Sequence, residues 1–206
     1  MKKIFTKQAI RYALLCLAII GIAVASVHAI EKSNSTKTET AAVRPTKWAK
    51  PIKLAGVPNL HKVTDNLYRS AQPTAEGMAN LSELGIKTVI NLRDNHSDSD
   101  EIGDLPLKAR RIEIFTANMK DKYVEEFLAI LDDPDAVPVL VHCQHGADRT
   151  GTLCAMYRIL REGWTPDDAI DEMKNGGFNY HSVWSNIPRF IRESAERLGK
   201  RAKSEK

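Results

Sequence analysis

Residues 139–151 read VLVHCQHGADRTG, a run whose residue types and spacing suit phosphate chemistry. Cys143 follows an apolar stretch, and five residues separate it from Arg149. A loop this short between a strand and a helix turns successive backbone N–H groups toward its own centre and forms an anion nest. The helix that follows adds its N-terminal partial positive charge. Gln144, His145, Gly146, Ala147, Asp148 and Arg149 are the expected phosphate-binding loop. Arg149 offers a planar fork that matches two phosphate oxygens, which a lysine would not do as well. The same surroundings favour a thiolate over a thiol, and the thiolate is the nucleophile. The expected reaction is attack by Cys143 on phosphorus, a phosphocysteine intermediate, and release of phosphate by water. Gly146 permits a tight turn and Gly151 a close backbone approach. His142 is expected to hold the loop by hydrogen bonding, the alternative being a plain strand-end residue. The Thr150 hydroxyl is placed to donate to the cysteine sulfur or to cap the helix. A sulfurtransferase also uses a cysteine loop, but the arginine six positions on and the adjoining threonine favour phosphate. A phosphate-binding module without catalysis would not need the thiol. No metal-ligand spacing is evident, so neither a metal nor a cofactor is expected.

Such a loop needs a strand before it, a helix after it, and a sheet edge to sit on. Pattern reading supplies them. Strands are expected over residues 67–70, 86–92 (IKTVINL), 111–115 and 137–141. Helices are expected from the Thr74 cap to Leu84, over 123–131, over 150–161, from Pro166 behind its Thr165 cap, and over 185–198. Alternation of strands and helices predicts an α/β single domain with a small, mostly parallel sheet flanked by helices. Ligands of such sheets bind at the carboxyl ends of the strands, where Cys143 falls.

The N-terminus reads differently. Lys2, Lys3, Lys7 and Arg11 precede an uncharged stretch rich in Ala, Leu and Ile, and Val27-His28-Ala29 offers a small-residue cleavage site. This is the layout of a secretory signal peptide over residues 1–29. The alternative is an uncleaved anchor, because the uncharged run continues to Ile30. Cys16 lacks the small preceding residues of a lipid-attachment site. Either way the remainder is expected to be exported, periplasmic or held at the outer face of the inner membrane. Those four basic residues account for the whole formal excess of +4, so the rest is balanced and a nucleic-acid partner is not supported. Residues 30–51, rich in Ser, Thr, Lys and Ala, are expected to be a linker, with Trp48 and residues 52–60 able to pack as an arm. The domain is expected over 52–206. Beyond Cys16 the chain has only Cys143 and Cys154, too few for a disulfide scaffold, and the two are expected to stay unpaired.

The run resembles the HCxxxxxRT/S signature of the cysteine-dependent protein tyrosine phosphatase superfamily, matched at His142, Cys143, Gly146, Arg149, Thr150 and Gly151. The short chain, the run Asn66-Leu67-Tyr68-Arg69-Ser70-Ala71-Gln72-Pro73 and the run Asn91-Leu92-Arg93 are similar to the compact, atypical dual-specificity branch. The resemblance covers residues 59–191 and implies a protein tyrosine or dual-specificity phosphatase acting on a phosphorylated protein or a small phosphate ester. The alternative it leaves open is a phosphatase of inositol phosphates or phosphoinositides. Ala147-Asp148 stands where family members acting on such highly charged substrates often carry basic residues. The resemblance also implies a general-acid aspartate upstream of the cysteine. Residues 116–122 are the expected loop and Asp121 its only carboxylate, with helix capping as the competing role. Asp94 ranks second. Asp98, Asp100, Glu101 and Asp104 read as a solvated loop face. Arg93 is expected to pair with a carboxylate, the alternative being a contact with substrate. His181 and Trp184 could border the pocket, Trp184 more readily as a buried residue on the last helix.

Overall fold

The computed structural model describes residues 44–204; the expected leader over 1–29 lies outside the described residues, as does most of the expected linker. Six strands form one sheet in the order β1-β2-β3-β6-β4-β5. They are β1 (Lys50–Pro51), β2 (His61–Lys62), β3 (Leu67–Ser70), β4 (Thr88–Asn91), β5 (Lys108–Arg111) and β6 (Val139–His142). β3, β6, β4 and β5 are parallel, and β1 and β2 add an antiparallel edge. The helices are α1 (Ala75–Glu83), α2 (Ser99–Ile102), α3 (Asp121–Asp132), α4 (Asp148–Glu162), α5 (Pro166–Asn175) and α6 (Asn186–Ser204). The architecture is the α/β layer fold that the alternating pattern predicts.

Period-two alternation divides the core between the two faces of the sheet. Leu67, Ile90, Val139 and Val141 pack among residues of α3 to α6, such as Phe127, Leu153 and Ile191. Tyr68, Val89 and Leu140 pack on the other face with Met78, Leu81 and Ile102. Both faces of β3, β4 and β6 are therefore buried, as parallel strands require. Thr74 and Thr165 cap α1 and α5 as expected, each accepting an N–H at 3.2 and 3.1 Å.

Two expectations are corrected. The strand expected over 111–115 is paired over Lys108–Arg111, where all four residues are exposed. Ile112 and Ile114 continue as an extended tail, bury their side chains, and donate to Asn91 O and Leu92 O at 3.0 and 3.4 Å. Apolar alternation thus marks the tail, while an edge strand carries charge, which discourages edge-to-edge pairing. The linker expected over 30–51 ends earlier. Trp48 and Ala49 are buried, Arg44 donates to the carbonyls of Ala49 and Gly176, and the Ala49 N–H meets Glu172 at 2.6 Å. Glu172 itself is forked by Arg158 at 2.9 Å on both oxygens. Residues 44–51 therefore belong to the domain.

Candidate active site

The loop from Cys143 to Arg149 joins the end of β6 to the start of α4, and its carbonyls are turned outward. Gln72 N–H donates to Gln144 O at 3.4 Å, Asn59 Nδ2 to His145 O at 3.0 Å, and Arg69 Nη2 to Gly146 O at 2.7 Å. Among the described residues, none of the N–H groups from Gln144 to Arg149 donates to the protein. With carbonyls held from outside, those N–H groups are left without an acceptor among the described residues, as in an anion nest. Gly146 has φ 67° and a Cβ there would collide with the Ser70 carbonyl, so the turn requires glycine. At Gly151 a Cβ would stand 2.9 Å from Met173, so glycine lets α4 close on α5.

Arg69 has no place in the sequence reading of the site. It is fully enclosed, its guanidinium lies 3.6 Å from the centre of the Phe178 ring, and burial lowers its affinity for a proton, opposed by Cys154, Glu172 and Cys143. A buried cation behind the loop is a source of positive potential that solvent does not screen. Nothing in the local pattern LYRS distinguishes it from a solvent-facing strand arginine.

His142, the residue before Cys143, is itself tied down by a hydrogen-bond partner. Its Nε2 lies 2.8 Å from Asp98 Oδ2, and both side chains are buried. This corrects the reading of Asp98 as part of a solvated face. Asp98 Oδ1 also accepts from Gln72 Nε2 at 2.9 Å and from Asn91 Nδ2 at 3.0 Å, and Gln72 Oε1 accepts from Arg93 Nη1 at 2.9 Å. Arg93 thus pairs with an amide rather than a carboxylate. The three motifs that carry the family resemblance meet at one buried carboxylate. Burial alone would raise the pKa of Asp98, but the hydrogen bonds from His142 and Gln72, with the nearby histidine charges, hold it below the ordinary carboxyl value.

Asp98→Asn either turns an N–H toward a donor or forces His142 to carry its hydrogen on the buried, unpartnered Nδ1, and is expected to cost about 2–4 kcal/mol of stability at neutral pH. Because the folded pKa is depressed, this contribution is complete above the unfolded value of about 4 and fades as pH falls through the folded one. The gap in melting temperature between the native protein and Asp98→Asn should therefore close in acid. A gap of equal size at neutral and strongly acid pH would contradict the role.

Arg149 is steadied through Nη1 alone, by Leu92 O at 3.4 Å, Ile114 O at 3.3 Å and Asp94 Oδ1 at 3.3 Å. The rest of the fork is left without a protein partner among the described residues. A cleft of about 310 Å³ opens here, lined by Cys143, His145, Asp148, Arg149, Thr116, His181, Val183 and Trp184. Trp184 is half-buried, so it both packs on the core and borders the cleft. Asp148 is clamped to the loop after α5: its Oδ1 accepts the His181 N–H at 2.9 Å and its Oδ2 lies 2.7 Å from His181 Nδ1. The Thr150 hydroxyl is buried without a hydrogen-bond partner, the Cys143 sulfur included.

The expectation for Asp121 is not supported. It is the first residue of α3, and its carboxylate is forked by Arg197 at 2.8 and 2.9 Å. That guanidinium holds its carboxyl below the ordinary aspartate range, the wrong direction for a proton donor. It does not line the cleft. Cys154 is buried, and burial pushes its thiol up to about 11. It is thus a poor thiolate for attack on an oxidised Cys143.

Among the described residues, one group could offer three metal-ligand atoms: His96, Asp98 and Glu101, within 4.8 Å of one another. Asp98 already gives both oxygens to donors, and His96 Nε2 is 3.0 Å from Glu101. The group braces the site from behind and is not in the cleft.

Known proteins are similar to this chain in sequence and fold. Residues 55–184 match the family described as DSP-PTPase phosphatase fused to NAD+ kinase. The dual specificity protein phosphatase TpbA of Pseudomonas aeruginosa is 35% identical over 156 residues, which is 75% of this chain and 70% of that one. The crystal structure of a Cys-to-Ser variant of TpbA with phosphotyrosine superposes with a TM-score of 0.65 at 32% identity, covering 72% of this chain and 91% of that one. The catalytic core of the yeast PP-IP phosphatase Siw14 shares the fold, with a TM-score of 0.62 at 23% identity over 74% of this chain and 95% of that one. With family match and loop geometry in agreement, the chain belongs to the dual-specificity phosphatases of the cysteine-dependent tyrosine phosphatase type.

Proposed function

We propose that the protein removes phosphate from phosphotyrosine and other protein phosphomonoesters, with Cys143 as nucleophile and Arg149 holding the phosphate. The observation that carries this reading is the nest of unpaired N–H groups around Cys143 with a free arginine fork beside it. In that setting a phosphate dianion is bound and turned for in-line attack, and the same donors stabilise its oxygens in the transition state. The substrate class follows from the rim. Val183 is 78% exposed and borders the cleft beside Trp184, giving an aromatic ring apolar surface to lie on. The loop holds no lysine, and Asp148 sets a carboxylate at its edge, which works against substrates carrying many phosphates. TpbA, the relative above, holds phosphotyrosine in its crystal structure. Phosphate release should be fastest from a phosphotyrosine peptide, slower from a phosphothreonine peptide, and slowest from an inositol polyphosphate. A preference for the inositol polyphosphate would overturn the assignment.

The basic front, uncharged stretch and Val27-His28-Ala29 support work outside the cytoplasm after cleavage behind Ala29. Mature protein starting at Ile30 in a periplasmic extract is the expected result. Full-length chain in the membrane pellet would mean an anchor instead. Among the described residues no helix is long and apolar enough to cross a membrane.

A further inference from the structure

The leaving oxygen of an alkyl phosphate needs a proton, and the aspartate expected to supply it is engaged elsewhere. Asp121 is forked by Arg197. Asp94, the other candidate, has its carboxylate on Arg149 Nη1 at 3.3 Å, where its charge serves the phosphate-holding arginine. Thr116 is the one residue of the 116–122 segment that lines the cleft, and it cannot act as an acid at neutral pH. Across the cleft stands an imidazole. His181 lines the same cavity as Cys143 and Arg149. Asp148 binds it at two points, through the backbone N–H at 2.9 Å and through Nδ1 at 2.7 Å. A carboxylate accepts only, so Nδ1 carries the hydrogen of this contact and Nε2 is the ring nitrogen left to face the cleft. Nε2 has no protein partner among the described residues, and the side chain is 45% exposed toward the cleft mouth.

We propose that His181, oriented by Asp148, is the general acid of this phosphatase. The inference rests on the phosphocysteine reading above. As the Cys143 thiolate attacks, the S–P bond forms and the bond from phosphorus to the leaving oxygen breaks. The released electron pair on that oxygen takes the proton from His181 Nε2, and the alcohol departs. Neutral His181 then accepts a proton from the water that attacks the phosphocysteine. The S–P electron pair returns to sulfur, restoring thiolate and imidazolium. A histidine held by an aspartate and free at its other nitrogen is built for such transfer. Asp148 holds the backbone and ring of His181 in place for that transfer.

The charged and titratable groups facing His181 are Asp148, in contact at 2.7 Å, and His145, Arg149 and the Cys143 sulfur around the cleft. His145 stands edge-on at 5.3 Å between ring centres. Tyr180, beside it on the same loop, donates to Trp184 O at 2.6 Å and has its pKa raised by burial and by Asp148, so it stays neutral.

His181→Asn keeps an N–H in the place of Nδ1 for Asp148 but has no proton to give. Turnover of a phosphothreonine peptide should fall about a hundredfold to ten-thousandfold, while turnover of p-nitrophenyl phosphate, whose leaving group needs little help, changes by less than about threefold. The alkaline limb of the phosphothreonine pH–rate profile should vanish, and orthovanadate affinity should be retained. Continued turnover of the nitrophenyl ester keeps the phosphocysteine step under separate observation. Equal losses on both substrates, an unmoved alkaline limb, or vanadate affinity lost in step with activity would make His181 a strap for the loop and overturn the proposal. So would loss of the alkaline limb in Asp94→Asn instead.

Discussion

Cys143→Ser is expected to lower turnover about 10⁴-fold or more while leaving orthovanadate or a phosphotyrosine peptide bound. The reason is local. The histidine next to Cys143 in the chain offers no base for a hydroxyl at this position: the His142 ring is committed to Asp98 at 2.8 Å, and its Nδ1 is buried. A serine would stay protonated and inert. Binding depends on other groups, namely the N–H nest and the Arg149 fork, and the three outward carbonyl contacts that shape the nest do not involve the sulfur. Steady-state rates with a phosphotyrosine peptide and calorimetry with orthovanadate check both halves. A variant that kept near-native turnover would deny the thiolate its role.

Arg149→Lys is expected to lose both binding and rate, with kcat/KM down by about 10²- to 10³-fold or more. Lysine keeps the charge and loses the plane. In the native site Nη1 is fixed by Leu92 O, Ile114 O and Asp94, at the carboxyl ends of two strand segments, so the remaining N–H groups point at the phosphate in one orientation. An ammonium group reaching those same acceptors would have nothing left for the phosphate, and one reaching the phosphate would leave the carbonyls unpaired. Because the loss is of geometry, added salt should not restore the native rate. A kcat/KM within a few-fold of native would show that a point charge suffices and contradict the bidentate role.

The loop itself was legible because its logic is local. Cys143, Gly146 and Arg149 sit within seven consecutive residues, and a strand and a helix on either side leave the chain one way to turn. Helix starts at Thr74 and Thr165 were legible for the same reason, since a cap and its N–H lie three residues apart. What escaped is long-range. Asp98 sits in an acidic, polar stretch, and its burial is decided by Gln72, Asn91 and His142 from three separate segments. Arg69 is a charged residue in a short strand, and only the fold places Gly146 O and Phe178 against it. Asp121 was placed by its position along the chain, and an arginine seventy-six residues on decides its role. Composition misled at residues 44–51 because two side chains, Arg44 and Trp48, outweigh a polar average. In each case the local pattern described the residue correctly, and a partner distant in sequence determined what it does.

The most direct measurement is rapid-quench peptide mass spectrometry during turnover of p-nitrophenyl phosphate. The expected result is a burst of nitrophenolate stoichiometric with enzyme, and the mass of one phosphoryl group on the peptide that contains Cys143. The group should be located on the sulfur and disappear as substrate is exhausted. A phosphoryl group found on His145 or His181, or turnover with no phosphorylated enzyme at any quench time, would contradict it.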